Sequence, residues 1–257
     1  MSVHPQALVD SSATLAAGVD VGPFSYIGPN VEIGEGTKVM SHVVIKGPTT
    51  IGKNNTIYQF SSVGEDCQDK KFAGEPTKLI IGDNNIIRES CTIHRGTTQD
   101  QGVTAIGNDN LLMAYVHVAH DCVIGNDCIF ANGTTLAGHV HVDDQVILGG
   151  GTMVHQFCKV GTHSMSAGGS IVLKDIPAYV MASGQSASAF GLNSEGLKRR
   201  GFEAALIREI KQAYRVVYRQ GLKLSEALEQ LAPIAKEIPE IAVFVASIER
   251  SNRGIIR

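Results

Sequence analysis

The chain has 257 residues, 43% of them hydrophobic, and a formal net charge of −3, enough for one sizeable core with a smaller companion. No apolar run approaches the roughly 18 residues of a membrane span, no charged-then-apolar leader is visible, and the near-neutral balance argues against a nucleic-acid binder. Five cysteines without a CxxC pair point to a reducing compartment, the cytoplasm.

Counting in sixes from Val3 gives Val9, Leu15, Val21, Ile27, Ile33, Val39, Ile45, Ile51, Ile57 and Val63. The column resumes at Ile81, Ile87 and Ile93, shifts by one residue, and runs from Ile106 through Leu112, Val118, Ile124, Phe130, Leu136, Val142, Leu148, Val154 and Val160 to Ser166 and Val172. Only Ser166 is not apolar. This period fits neither a helix nor a simple alternating strand; it is the hexapeptide signature of a parallel β-helix. Three short strands make one coil, so residues 18 apart stack at about 4.8 Å with the aliphatic position inward. Small residues at the fifth position, Thr37, Thr49, Ser61, Cys122, Cys128, Thr134 and Cys158, also point into the narrow interior, which makes those cysteines core fillers.

Two polar, Gly-bearing stretches leave the column. Residues 64–80 span one missing turn, because Asp69 and Glu75 fall where aliphatics belong, and residues 94–105 add one residue to the register. Both read as protruding loops, where sites on a repetitive scaffold are built. The coil occupies residues 1–190 and a helical domain 191–257. Within the latter, Ala205, Ile210, Ala213, Val216 and Val217 stand at helical spacing over 203–220, with Gly221 as a stop. Ser225 caps a second helix to Glu237, bent or interrupted at Pro233, and Pro239 opens a third to Ser251. The helices are expected to cover the open end of the coil. Residues 1–194 hold 10 basic and 17 acidic side chains, net −7, and residues 195–257 hold 12 and 8, net +4. The basic tail suits a small acidic protein partner.

Register stacks three hexads beginning at Val118, Leu136 and Val154. Their third positions, His120, Gly138 and Gln156, form one column, with Asp121, His139, His155 and His117 beside it. Four imidazoles aimed at one patch of a rigid scaffold point to proton transfer near neutral pH. The backbone N–H of Gly138, unobstructed by a Cβ, suits a developing oxyanion. Asp121 can orient His120 only if the chain bends there, because adjacent strand residues face opposite ways.

GEPTK at 74–78, IRESCTIHRGT at 87–97, HVAHDCVIGN at 117–126, LAGHVHVDD at 136–144, VHQFCKVG at 154–161 and NSEGLKRRGF at 193–202 closely resemble the acyl-carrier-protein–UDP-N-acetylglucosamine O-acyltransferases, which begin lipid A synthesis. The resemblance implies a homotrimer of left-handed β-helices, with active sites between subunits and no cofactor or catalytic metal. It implies that His120 is the general base toward the glucosamine 3-hydroxyl, that Asp121 assists it, and that Gly138 N–H is the oxyanion donor. Asp69, Lys71, His117, His139, His155 and Gln156 match positions that bind the sugar nucleotide, and Asn193, Glu195, Arg199 and Arg200 match a nucleotide-contacting segment. Gly168 matches the ruler that ends the acyl groove, where a glycine implies a long 3-hydroxyacyl chain. Two rivals stand beside this reading. One is a zinc lyase of the hexapeptide carbonic anhydrase type, with His117, His120 and His139 as ligands. The other is the related N-acyltransferase, expected to carry an additional N-terminal domain.

Overall fold

The structure, a computed structural model, describes residues 2–257. Short parallel strands form three sheets of eleven, nine and eight strands, which wall a triangular coil. Away from the two loops and the coil end, strand neighbours are separated by one coil of three hexads, as in Val3↔Val21, Val118↔Leu136 and Val142↔Val160. From Val21 to Val172 every residue of the hexad column is buried, whereas Val3 is 37% exposed because no coil lies beneath the first. Ser166 is also fully buried, its hydroxyl satisfied by Thr152 Oγ1 at 2.8 Å and by the N–H of Gly149 at 3.1 Å. A hydroxyl is tolerated inside because both its hydrogen-bonding roles are met.

The small fifth-position residues all point inward as expected, and Thr37, Thr49, Ser61, Cys122, Cys128, Thr134 and Cys158 are buried. Burial pushes the thiols of Cys122 and Cys128 up to about 12 and that of Cys158 up to about 11, so they stay protonated and inert. Between the stretches of small residues runs a buried ladder of Asn55, Asn85 and Asn110. Asn55 Oδ1 accepts from the Asn85 backbone at 2.8 Å, and Asn85 Oδ1 accepts from the Asn110 backbone at 3.0 Å. At the corners the coils approach closely: a Cβ on Gly34 would lie 2.5 Å from the carbonyl of Gly52, so only glycine fits.

Neither loop replaces a turn. Ile51 pairs directly with Ile81, where unbroken three-hexad spacing would bring Asp69, so the first loop is an insertion at one corner, two hexads long, and not a missing turn. Ile81 in turn pairs with Ile106, where the same spacing would bring Gln99, which makes the second loop an insertion as well. The coil ladder is continuous beneath both.

The coil ends in a hairpin the hexad count does not announce. Val180–Ser183 extends the first sheet, and Ser188–Leu192 folds back antiparallel on it, so sheet continues past position 190 to Leu192. Four helices follow: α1 (Ser194–Arg199), α2 (Ala204–Arg219), α3 (Leu224–Glu237) and α4 (Pro239–Glu249). Helix α2 buries Ile210, Ala213, Val216 and Val217 as expected but leaves Ala205 exposed, its place in the core taken by Ile207. Ser225 is not a cap: α3 already begins at Leu224, and Glu226 reaches back to accept the Lys223 N–H at 2.9 Å. Pro233 lies inside α3 without ending it, and Gly221, at φ 71°, closes α2. The helices do cover the coil end. Ser247 of α4 accepts the Ala178 N–H at 3.0 Å, Lys159 donates to the Arg250 carbonyl at 2.6 Å, and Arg250 pairs with Asp143.

His163 lies under this cap, between Tyr179 and Phe202. Burial first, then the charge of Arg200, lowers it to about 4 against the opposing pull of Asp144, and burial beside His117 lowers His94 to about 4. Below the ordinary histidine value near 6.5 the unfolded chain takes up these protons and the folded chain does not, so stability falls as pH drops from about 6.5 towards 4. The urea midpoint is expected to decrease across this window and His163→Phe to flatten the dependence; an unchanged slope in that variant would contradict a neutral His163.

Candidate active site

The turn between Val118 and Val123 carries His120 and Asp121, and its sharpness settles how adjacent residues face each other. Asp121 adopts φ 57°, the left-handed bend the pairing requires, and places Oδ2 at 2.8 Å from His120 Nδ1. The Asp121 side chain is 1% exposed. Its Oδ1 accepts the Thr97 N–H at 2.8 Å and its Oδ2 the Thr97 hydroxyl at 2.6 Å. The second loop therefore folds back over the histidine corner and clamps the carboxylate, where the sequence reads only as a protrusion. Burial alone raises the Asp121 carboxyl, but hydrogen bonds from His120 and Thr97 outweigh it and hold the group below its ordinary value.

An ionised carboxylate only accepts, so Nδ1 of His120 must be the protonated nitrogen. That leaves the Nε2 lone pair available in the adjoining cleft. The cleft, about 410 Å³ and open, is lined by His120 and Gly138 together with Gln68, Asp69, His94 and His117. Gly138 sits directly against the imidazole: a Cβ there would fall 2.6 Å from Cε1 and 2.7 Å from Nε2 of His120. Its own N–H has no acceptor among the described residues. An imidazole with a free acceptor nitrogen and an unpaired backbone donor are thus adjacent, an arrangement that suits acyl transfer.

His139, one coil on from Asp121, donates its Nδ1–H to the carboxylate of Asp100 in the second loop at 2.8 Å and stacks on Phe157 at 4.3 Å. His117 Nδ1 meets the Thr92 hydroxyl at 2.7 Å and packs edge-on to His94 at 5.0 Å. Sequence reasoning leaves out His94, Thr97, Asp100 and Phe157. Phe157 had a signal, since Asp121, His139 and Phe157 are successive at one-coil spacing and share the left-handed bend. His155 and Gln156 lie further along the same corner, exposed, with His155 Nδ1 donating to the Gln156 carbonyl at 3.0 Å.

Family models match two stretches: UDP N-acetylglucosamine O-acyltransferase, domain 2, over residues 175–256, and the bacterial transferase hexapeptide (six repeats) over 104–138. The acyl-[acyl-carrier-protein]–UDP-N-acetylglucosamine O-acyltransferase of Stutzerimonas stutzeri is 56% identical over 255 residues, 99% of each chain. That of Pseudomonas aeruginosa is 58% identical with the same coverage. The chain belongs to this family. Among solved members, LpxA from Acinetobacter baumannii matches with a TM-score of 0.97 at 51% identity, covering 99% of both chains. The enzyme from Moraxella catarrhalis matches with 0.98 at 50%, covering all of both. The coil is accordingly the left-handed parallel β-helix of the O-acyltransferases.

The remaining family-matched positions do not gather around His120 in one chain. Asp69 reaches the cleft; Lys71 is exposed and donates its N–H to Asp69 at 2.9 Å. Asn193 caps α1, accepting the Gly196 N–H and donating to the His163 carbonyl at 2.9 Å. Glu195 pairs with Lys198, Arg199 is exposed, and Arg200 donates to the Asp127 carbonyl at 3.3 Å. His163 and Asp127 mark the corner between the third and first sheets, whereas His120 turns between the second and third. Gly168 is exposed at the remaining corner, beside Gly150. The ligand set of the zinc-lyase reading is not assembled either. Among the described residues the group able to share a cation is His120, Asp121 and His139, and His117 is outside it.

Proposed function

We propose that the protein transfers a 3-hydroxyacyl chain from acyl carrier protein to the 3-hydroxyl of UDP-N-acetylglucosamine, the first step of lipid A synthesis. The observation that carries the reaction is the Asp121–His120 pair packed against Gly138, whose N–H has no acceptor among the described residues. His120 Nε2 takes the hydroxyl proton as that oxygen attacks the thioester carbon. Asp121 stabilises the imidazolium that results. Gly138 N–H holds the oxyanion until the carbonyl re-forms and the carrier thiol leaves with the proton. No step calls on a metal or cofactor.

The three corners explain the assembly. Nucleotide-matched residues, base and ruler lie on three different edges of one coil, so they meet only if neighbouring copies each contribute an edge. We assign a cyclic homotrimer. The ruler edge is also apolar, with Phe24, Phe60 and Tyr115 exposed by 55%, 64% and 69%, a row that suits burial against a second copy. Between subunits, Asp69, Lys71, His117, His139, His155 and Gln156 hold the sugar nucleotide, and Asn193, Glu195, Arg199 and Arg200 its nucleotide end, the guanidiniums facing the diphosphate. On α2, Lys211, Arg215 and Arg219 repeat every fourth residue, are exposed, and line a cleft of about 300 Å³, a face that fits an acidic carrier protein. Among the described residues no helix is long and apolar enough to cross a membrane, and five unpaired thiols suit the cytoplasm. The test is incubation of UDP-N-acetylglucosamine with a panel of 3-hydroxyacyl carrier proteins, product and attachment site read by mass spectrometry. An O3 ester is expected; an N-linked product or none contradicts the assignment.

Gly168 leaves the groove end open to a long chain such as 3-hydroxymyristoyl or 3-hydroxylauroyl. Each methylene shut out forfeits about 0.8 kcal/mol of burial, so losing four shifts preference by roughly two orders of magnitude. Gly168→Met is expected to favour 3-hydroxydecanoyl carrier protein in competition assays. A folded variant with unchanged preference contradicts the ruler assignment.

A further inference from the structure

We propose that His120, His139 and Asp121, with Asp100 beside them, form a zinc site whose occupation switches the enzyme off; this rests on His120 being the base.

The donors are already gathered. Ligand atoms of His120, Asp121 and His139 lie within 4.8 Å of one another. Asp121 Oδ2 is 2.8 Å from His120 Nδ1 and 3.9 Å from His139 Nδ1, and Asp100 Oδ2 is 2.8 Å from His139 Nδ1. In tetrahedral zinc with bonds near 2.0–2.2 Å, adjacent donors are about 3.4 Å apart, and the spacings of 2.8 Å and 3.9 Å from Asp121 Oδ2 to the two imidazoles bracket that requirement. Two imidazole nitrogens and one carboxylate oxygen make a donor set that zinc accepts and magnesium does not favour. Asp121 is fixed by Thr97, while Asp100, on the second loop and 36% exposed, holds the His139 ring and adds negative charge beside the three ligands. Three protein ligands leave the fourth position to water, and the effect on catalysis comes from the His120 nitrogen that the ion occupies.

The inhibitory consequence follows from the tautomer. A neutral imidazole carries one N–H, which in the metal-free protein sits on Nδ1 against Asp121. Zinc takes the Nδ1 lone pair, so the proton resides on Nε2. Nε2 then donates and has no lone pair with which to accept the proton of a sugar hydroxyl. The histidine loses no proton and no covalent bond is made or broken in the substrate; the base is held in the wrong tautomer. The aliphatic core of the coil is untouched.

The experiment uses full-length protein stripped of metal by chelation. Its activity is measured first, because loss of turnover on stripping would count against the base mechanism and not against the site. Zinc chloride is then added, and bound zinc is counted by equilibrium dialysis alongside turnover. The expected result is one zinc per chain, turnover reduced at least about tenfold at saturation, recovery on adding chelator, and no effect of magnesium at the same concentration. Asp100→Asn, compared with its own zinc-free rate, is expected to weaken zinc binding and inhibition in parallel by about tenfold or more. Anomalous diffraction at the zinc edge should place the ion between His120 and His139. No stoichiometric zinc, zinc bound with turnover unchanged, or binding indifferent to Asp100→Asn would each overturn the proposal.

Discussion

His120→Ala is expected to fold normally and to turn over about 10²–10⁴ times more slowly than the parent, the range for loss of a positioned general base. In barrier terms this is roughly 3–5 kcal/mol. The fold survives because His120 stands at a corner outside the hexad column, whose nearest members, Val118 and Leu136, remain buried and paired. Catalysis does not, because no other imidazole pairs with a buried carboxylate while lining the cleft beside Gly138. His117 is engaged at Nδ1 by Thr92, and His139 by Asp100. The loss should fall on kcat more than on KM for the sugar nucleotide, since the proton moves only in the transition state. Single-turnover rates with a 3-hydroxyacyl carrier protein measure it. Near-normal turnover would remove His120 from the mechanism.

Gly138→Ala is expected to cost about 10² or more in kcat, through geometry that a larger side chain cannot share. The new Cβ would lie 2.6 Å from the His120 ring, closer than real Cβ contacts come. The ring cannot retreat with its partner, because Asp121 is pinned by both the N–H and the hydroxyl of Thr97. It must swing off Asp121, losing the bond that fixes its tautomer. Overpacking of this kind also lowers stability by about 1–3 kcal/mol. Contact between the two residues makes the substitutions non-additive. The double variant His120→Ala/Gly138→Ala should be no slower than His120→Ala alone, because the clash disappears with the ring. If the losses multiply instead, Gly138 acts independently of His120, through its N–H.

The coil was legible because a hexad period constrains every sixth residue to one inward column, and even its exception, Ser166, obeys by finding two partners inside. Stacking at one-coil spacing likewise brings His120 and Gly138 together. The clamp was not legible. Thr97 and Asp100 lie in an insertion whose period is broken, and only the folded loop shows that it returns over Asp121 and His139. The hairpin at 180–192 is hidden for a related reason: once the hexad stops, two short strands of mixed polarity carry no periodic signal. Ser225 misled because a serine before an apolar stretch resembles a cap, while Glu226 satisfies the preceding N–H instead. Residues such as Arg200 and Gly168 could be matched to the family one by one. Their separation onto different corners, the basis of the proposed trimer, emerges only from the coil geometry.

Asp121 holds His120 as the tautomer whose Nε2 is free to accept a proton. Neutron diffraction from crystals of the deuterated, metal-free protein near neutral pH tests it directly. Deuterium is expected on His120 Nδ1, directed at Asp121 Oδ2, and none on Nε2. Deuterium on Nε2 with a bare Nδ1 would contradict it.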